Sequence, residues 1–506
     1  MYRGKILDSW DEKQYNLLTF LHKNNFSATK EECLHTLNLN VSVLNNLIVS
    51  LESLASESGL FSISKQGRIL TISIPFDKNL DDIFHYLLLS SIKYQIISEL
   101  FHKETLHIPN IEQKLGISYS TFYRKLVEIN VILAEFDIKI ENKKLIGSEL
   151  QIRHFFVEFY TMTRTWKSTS EQFSDKVVFD EIIKLNNQFQ LELSDIAIGR
   201  IVAYLMIVKF RYLQKKVVPV SCISDWFFDD ASFNRFVDSL VKSPLYEPGK
   251  LFMKKFFSAY GIVPKGDEPL ALILFLMGKH ILSDDSILYK DLIAVEAEAD
   301  LMTYAMKNKL LDCFNDHQII SSNQQDELTY LLTQVTWHHC FFKGWIVTED
   351  SQITPEQFEK VAALFDTDDF IADFFADHFP DVTHKIDVLD YYKSDLYQLI
   401  LYFLKGNFPG LSIGVHIEGD LLMKRILTPM IIKRLNCLDF ITASTLKKGV
   451  AYDLVVSNVN FPAIENQGKH FYLINHEFYS SDFQHIEEFI SMIVNAATFS
   501  YNRDLK

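Results

Sequence analysis

Ile111-Glu112-Gln113-Lys114-Leu115-Gly116-Ile117-Ser118 is the stretch whose reading decides the fold. Its apolar positions pin two short helices together, Gly116 permits the sharp turn between them, and Ser118 is a good N-cap for the helix that follows. That following helix runs on through Leu133. Upstream, Ile92 to Lys103 has helical spacing. Downstream, Lys139-Ile140 and Leu145-Ile146 flank Glu141-Asn142-Lys143-Lys144 as a short wing. Three helices and a hairpin in this order describe a winged helix-turn-helix.

The same order occurs once before. Asp11 to Lys23 is helical, with Tyr15, Leu18 and Leu21 near one face. Thr29 caps Lys30 to Leu37, and Glu32 three residues on completes a capping box. Ser42 is read as the cap of a longer helix carrying Leu44, Leu47, Ile48, Leu51 and Leu54 and stopping at Gly59. Phe61 to Ser64 and Ile69 to Ile74 alternate as strands around Lys65-Gln66-Gly67-Arg68. The expectation is a tandem of winged helix-turn-helix domains, 1–80 and 81–165.

A polar linker, Trp166 to Gln172, precedes long apolar-striped helices up to about residue 405. These divide near residue 288 into two similar halves, 175–287 and 288–405. Each half holds one very apolar helix that turns polar at its end, Ile198 to Lys216 and Leu328 to Lys343. After Phe408-Pro409-Gly410 the pattern changes to strand, helix and three more strands, closing with a helix from Asp482 to about Thr498. Residues 407–506 are therefore expected to form a small α/β sheet domain. The fold class is mainly α and multidomain.

Composition narrows the function. The 506 residues carry a net charge of −15, but residues 1–165 hold 18 Lys and Arg against 19 Asp and Glu, leaving 32 against 46 for the remainder. Only the near-neutral N-terminal third can present a basic face without opposing its own field, so nucleic acid, if bound, is bound there. No segment approaches the ~20 apolar residues of a membrane span, and the N-terminus lacks a signal-peptide core. Five cysteines, scattered singly, fit reduced thiols in a cytoplasm. Phosphate loops, dinucleotide fingerprints and nucleophile motifs are missing, which argues against an enzyme and against a cofactor.

On the third helix of the second winged domain, Tyr119, Ser120, Thr121, Tyr123, Arg124 and Lys125 include positions that can face a major groove. Lys139, Lys143 and Lys144 of its wing can each neutralise a phosphate, although such a wing is also simply a solvated turn. The first domain offers Ser42, Asn45 and Asn46, with Lys65 and Arg68 on its wing. It has no Lys or Arg on its third helix, so its affinity should be the weaker. The competing reading is a winged domain used only for protein contacts.

This order resembles the Mga/AtxA/RofA-type virulence regulators of Gram-positive bacteria, most specifically through Ile111 to Lys125 and the join Leu145 to Phe156. The resemblance implies a transcription regulator that binds promoter DNA. It also implies that the helical halves are phosphotransferase-system regulation domains (PRD-like), and that the tail is similar to an EIIB domain. Regulation domains respond to phosphorylated histidines, for which His338 and His339 are the candidates, with a phosphocarrier protein as the donor and Lys343 the nearest cation. Lys209 and Arg211 occupy the matching place in the first half. Packing of those histidines under Trp337 and Trp345 is the plainer reading. A metal site on His338, His339 and Cys340 is not expected, because three consecutive helical residues point in different directions. The loop Glu418-Gly419-Asp420 lacks the phosphorylated cysteine of EIIB enzymes, so the tail is expected to serve contact and homodimerisation. An RNA-binding antiterminator shares the regulation domains and is the alternative, but such proteins begin with a small β-rich RNA-binding domain, absent here.

Overall fold

The structure is a computed structural model. It describes residues 2–163, 176–346 (without 190, 192, 220–229, 245, 264, 317–319 and 321–323), 370–378, 386–438 (without 407–409 and 420), 441–474, 483, 485–490 and 492–493. The expected linker Trp166 to Gln172 lies outside the described residues, as do Asp420 and, of the closing helix, residues 482, 484, 491 and 494–498. The chain forms two compact units. One comprises Met1–Asn308, Tyr330–Gln352 and Pro380–Ser394. The other comprises Lys309–Thr329, Ile353–Phe379 and Asp395–Lys506.

In the first unit, a short 3-10 turn at Arg3–Ile6 precedes α1 (Ser9–Lys23), α2 (Lys30–Thr36) and α3 (Val41–Ser58). Thr29 makes the expected capping box with Glu32. The cap of α3 is Asn40, whose Oδ1 accepts from the Val43 amide at 2.8 Å, so Ser42 lies inside the first turn and the expected cap moves two residues back. Gly59 ends α3 at φ 65°, the left-handed conformation that a glycine adopts without penalty. The wing is β2 (Ser62–Gln66) against β3 (Ile69–Ser73), and the short β1 (Ser27–Thr29) adds to β3, giving the order β1-β3-β2. At three residues β1 has too little alternation to be legible.

A helix not anticipated from sequence, α4 (Leu80–Ser90), leads into the second winged domain; Asn79 and Asp82 form its capping box. Then come α5 (Ile92–His102), α6 (Ile108–Leu115), α7 (Tyr119–Ala134) and the wing β4 (Lys139–Glu141) against β5 (Lys144–Ile146). Gly116 takes φ 62° at the turn and Ser118 Oγ accepts from the Thr121 amide. Both expectations for that turn are met in the structure.

Lys125 differs from expectation. Its side chain is 7% exposed and pairs with Asp8 at 2.9 Å and Glu128 at 2.8 Å. Counting from the two caps places Lys125 where the first copy has the fully buried Leu47, so its position is a core one and its ammonium does not reach a groove. Burial alone would lower its pKa, but the bonds to Glu128 and Asp8 outweigh that and raise it. Asp8 also accepts from the Ile92 amide at 2.9 Å, and Ser91 Oγ donates to the Ile6 carbonyl at 2.7 Å. These contacts clasp the two winged domains together.

α8 (Glu149–Thr163) follows, buried on nearly every side. The helices α9 (Lys176–Phe189), α10 (Asp195–Leu213), α11 (Asp230–Lys242), α12 (Tyr246–Ser258), α13 (Glu268–Met277) and α14 (Ile287–Glu298) share its core; α10 packs along α8 and α13 meets it where Glu268 pairs with Arg153. Further along are α15 (Met302–Asp316), α16 (Gln325–Phe341), α17 (Phe370–His378) and α18 (Ile386–Gly406). One hydrophobic core runs unbroken from Ile6 through the winged domains to Trp345 and Ile346.

In the second unit, residues 411–473 form a parallel sheet of order β7-β6-β8-β9, from β6 (Leu411–His416), β7 (Ile441–Thr445), β8 (Tyr452–Ser457) and β9 (Gly468–Leu473). The helices α19 (Leu421–Leu435) and α20 (Pro462–Glu465) lie between strands. β7 starts three residues later than its apolar run suggests, because Leu438 packs against the domain core beside the sheet.

Replacing Lys125 with Met strands Asp8 and Glu128 and should lower the stability of the N-terminal region by about 1–3 kcal/mol. Asp8→Asn in the same chain should restore much of that. A double-mutant cycle in urea measures it, and strictly additive losses would dissolve the clasp.

Candidate nucleic-acid interface and histidine cluster

α7 turns Tyr119, Ser120, Tyr123 and Arg124 outward, leaves Thr121 half-buried, and continues the outer face with Val127 and Val131. Arg124 is exposed and has no ion-pair partner among the described residues, so its planar fork of donors is available. Tyr119 and Tyr123 rings lie 4.6 Å apart, which stiffens that edge. In the wing, Asn142 and Lys143 take φ 50° and 66°, the two left-handed residues of a tight hairpin turn. Lys143 stands exposed there. Lys139 pairs with Glu141 at 2.6 Å and Lys144 with Glu104 at 3.5 Å. The three wing lysines are therefore unequal, with Lys143 the least neutralised.

The first winged domain brings together more than its helix suggests. Lys30 Nζ donates to Asn45 Oδ1 at 3.1 Å, and the neighbouring Lys65 ammonium lowers the pKa of Lys30. Arg68 pairs with Glu31 at 3.4 Å. Ser42, Asn45 and Asn46 are exposed along α3. Lys30 was missed by the sequence reading; the signal for it was its place at the first turn of α2, next to the strand that carries the wing.

His338 and His339 end α16 as expected, but in a packed setting. The His338 ring stacks on Trp345 with centroids 3.4 Å apart and lies 4.4 Å from His280, while its Nδ1–H donates to the Gly278 carbonyl at 2.8 Å. His339 is buried, 5.4 Å from the Tyr392 ring. Burial, then His280, His339 and Lys279, push the His338 pKa well below 6.5, so it is neutral at pH 7. The cation beside this cluster is Lys279, not Lys343. Lys343 instead reaches Asp137 of the second winged domain at 2.7 Å. Of the first-half residues, Lys209 sits over the Tyr260 ring at 3.6 Å and Arg211 is buried against Glu149 at 2.6 Å.

Lys279 lies over Trp345 at 4.4 Å and donates to Glu158 at 2.6 Å and to His154 Nδ1 at 2.8 Å. Burial lowers its pKa to about 8. His154 Nε2–H in turn donates to the Gly344 carbonyl at 2.7 Å, and burial followed by the nearby Lys279 charge holds His154 well below 6.5. Gly344 takes φ 77° and lies so close to α7 that an added Cβ would meet the Glu135 carbonyl at 2.6 Å. The histidine cluster and the C-terminal end of α7 are thus joined through residues 343–345.

In the C-terminal sheet, His416, Lys424, Arg425 and Lys433 line a cleft of about 650 Å³ beside α19. Glu418 is held there by Lys424 at 2.9 Å and His416 at 3.4 Å. Among the described residues, no helix is long and apolar enough to cross a membrane and no His, Cys, Asp and Glu cluster is arranged to hold a metal.

Residues 76–160 match the Mga helix-turn-helix domain, a span that contains α4 through β5 and most of α8. The chain is 20% identical over 327 residues to the capsule synthesis positive regulator AcpA of Bacillus anthracis, covering 63% of this chain and 62% of AcpA. To AcpB of the same organism, also a capsule synthesis positive regulator, it is 19% identical over 53% of this chain and 54% of the relative. A putative trans-acting regulator of Streptococcus pneumoniae is 23% identical over 160 residues, 31% of this chain and 32% of that protein. The matches thus span a third to about three-fifths of these curated relatives.

Two neutral buried histidines give a pH signature. The unfolded chain takes up their protons first, near pH 6.5, so stability falls as pH drops below that value. Urea unfolding between pH 7.5 and 5 should show a slope that shrinks by about 1.4 kcal/mol per pH unit in His154→Gln, and similarly in His338→Gln. A slope identical to wild type in both variants would contradict the buried neutral state.

Proposed function

As a member of the Mga/AtxA-like family of virulence regulators, this chain is, we propose, a DNA-binding transcription regulator whose second winged domain is the main reading head. The observation that carries the reading is the coincidence of the Mga helix-turn-helix match with an α7 whose outer face carries Arg124, without an ion-pair partner among the described residues, and a wing that carries the exposed Lys143. Arg124 supplies a bidentate contact to a base edge or phosphate. Lys143 supplies a phosphate contact from the wing, as do Lys139 and Lys144 once their carboxylate partners are displaced. The first domain adds Lys30, Lys65 and Arg68 along the phosphate backbone, with Ser42, Asn45 and Asn46 toward the groove. Capsule synthesis regulation is the printed role of AcpA and AcpB, and a virulence-linked promoter set is the corresponding reading for this chain.

Regulation is proposed to pass through His338 or His339, phosphorylated by a phosphotransferase-system phosphocarrier within a PRD-like helical region. Phosphate adds roughly −1.5 to −2 charge, and Lys279 is the cation close enough to answer it. Drawing Lys279 toward a new phosphate would release His154 and Glu158, which brace the loop at residues 343–346 against the winged domain. The EIIB-like sheet and the PRD-like helices are proposed to hold a homodimer. Two subunits held together bind two half-sites with a raised effective concentration, so the monomer–dimer balance sets promoter occupancy.

The full chain should bind duplex DNA with an affinity that falls steeply with salt, about 0.9 log unit per log unit of salt for each phosphate neutralised. Arg124→Ala with Lys143→Ala should weaken binding more than Lys65→Ala with Arg68→Ala, while Lys125→Met should leave it near wild type. Salt-independent affinity, or tighter binding to hairpin RNA than to duplex DNA, would reject the reading.

His338→Asp with His339→Asp should alter both sedimentation mass and reporter output, and the Ala pair should stop responding to sugar supply. Removing residues 407–506 should weaken dimerisation while leaving weak DNA binding. Wild-type mass and output in both histidine pairs would make the cluster purely structural.

A further inference from the structure

Aligned from their caps, Asn40 and Ser118, the two recognition helices agree in their cores: Leu44 with Phe122, Ile48 with Leu126, and Leu51 with Ile129. Their outer faces agree at two further places, Ser42 with Ser120 and Val49 with Val127. The two valines are each 66% exposed. A single exposed valine needs no explanation, and a β-branched residue is mildly unfavourable on a helix surface. Here the same valine recurs in copies that have diverged elsewhere, as at Leu47 and Lys125. Packing does not ask for it.

The rest of the face has one chemical character. α3 presents Val41, Ser42, Asn45, Asn46 and Val49; α7 presents Tyr119, Ser120, Tyr123, Arg124 and Val127. Neither set contains a carboxylate, the group that accepts from cytosine N4; the first on this face of α3 is the exposed Glu52, a turn beyond Val49 and away from the helix N-terminus. Asparagine pairs with adenine N6 and N7, and apolar groups meet the C5-methyl of thymine. Arg124 is the one group on this face suited to guanine.

Resting on the DNA-binding reading, we propose that Val49 and Val127 are specificity residues that contact thymine methyl groups in the major groove, so that the sites this chain selects are rich in A·T pairs. Hydroxyls and amides beside each valine set register, and the methyl contacts carry discrimination.

The test uses the full chain and pools of duplexes with a randomised core, followed by the best selected duplex remade with deoxyuridine in place of thymine. Uracil keeps every hydrogen-bonding group and loses only the methyl. The expected result is an A·T-rich selected site whose affinity drops about fourfold for each contacted methyl removed, the factor corresponding to ~0.8 kcal/mol per buried carbon. Val127→Ala and Val49→Ala should each bind the thymine duplex less tightly and lose part of the thymine-to-uracil difference, with unchanged thermal unfolding. Salt-sensitive duplex binding that is indifferent to uracil, or a G·C-rich selected site, overturns the methyl contact and leaves DNA binding intact. No duplex binding from any pool overturns both.

Discussion

Four buried charges on three helices set the geometry of the N-terminal unit. Arg153 forks onto Glu268 at 2.5 and 3.0 Å and reaches Glu149 at 3.0 Å, while Arg211 meets both oxygens of Glu149 at 3.0 and 2.6 Å. Two guanidinium groups and two carboxylates balance to zero, and all four are nearly sealed from solvent. Desolvating them offsets most of their attraction, so the network's main effect is geometric: a slip of α8 by one residue would strand a full charge in the core. α8 is also the continuation of the second winged domain. Its register therefore decides where His154 meets Lys279 and where Gln151 meets the backbone of Lys343 at 3.1 Å.

Much of the winged pair was legible because local rules agreed there. Thr29 with Glu32, Gly59, Gly116 and Ser118 each act through neighbours within four residues, where sequence spacing is a complete description. What the sequence hid was non-local. Lys125 looks like a groove residue by type and by adjacency to Arg124, but a shift of one position turns it by about 100° into the core. An alignment of the two copies from their caps would have exposed this, since Leu47 occupies the same place. Likewise Glu149, Arg153 and His154 of α8 are surface residues by type, and only their partners far along the chain turn them into interior ones. The histidine pair was found by residue type. Its cation was misjudged because Lys343 is near in sequence while Lys279 is near in space.

The two winged domains differ in how they carry charge. In the second, cations are spread over helix and wing, several already answered by carboxylates. In the first, Lys65 stands close enough to Lys30 to disfavour the Lys30 proton. Mutual repulsion of that kind is relieved by an anion, so a phosphate is the natural third member of the group. A surface that is near-neutral in sum can in this way still hold local positive points where a duplex backbone would run.

The clasp at Asp8 has a consequence for the order in which the molecule is made. During synthesis the first winged domain emerges before its neighbour, with the Lys5 and Ile6 carbonyls lacking their donors Lys93 and Ser91 and Asp8 lacking its lysine. Domains otherwise complete themselves as they leave the ribosome, N-terminal first. Here the first must wait for α5 and α7 before its opening segment can settle, so the tandem matures as one object. Stalling between the two would leave a half-finished domain exposed to proteases, whereas release after both gives a pair that locks at once.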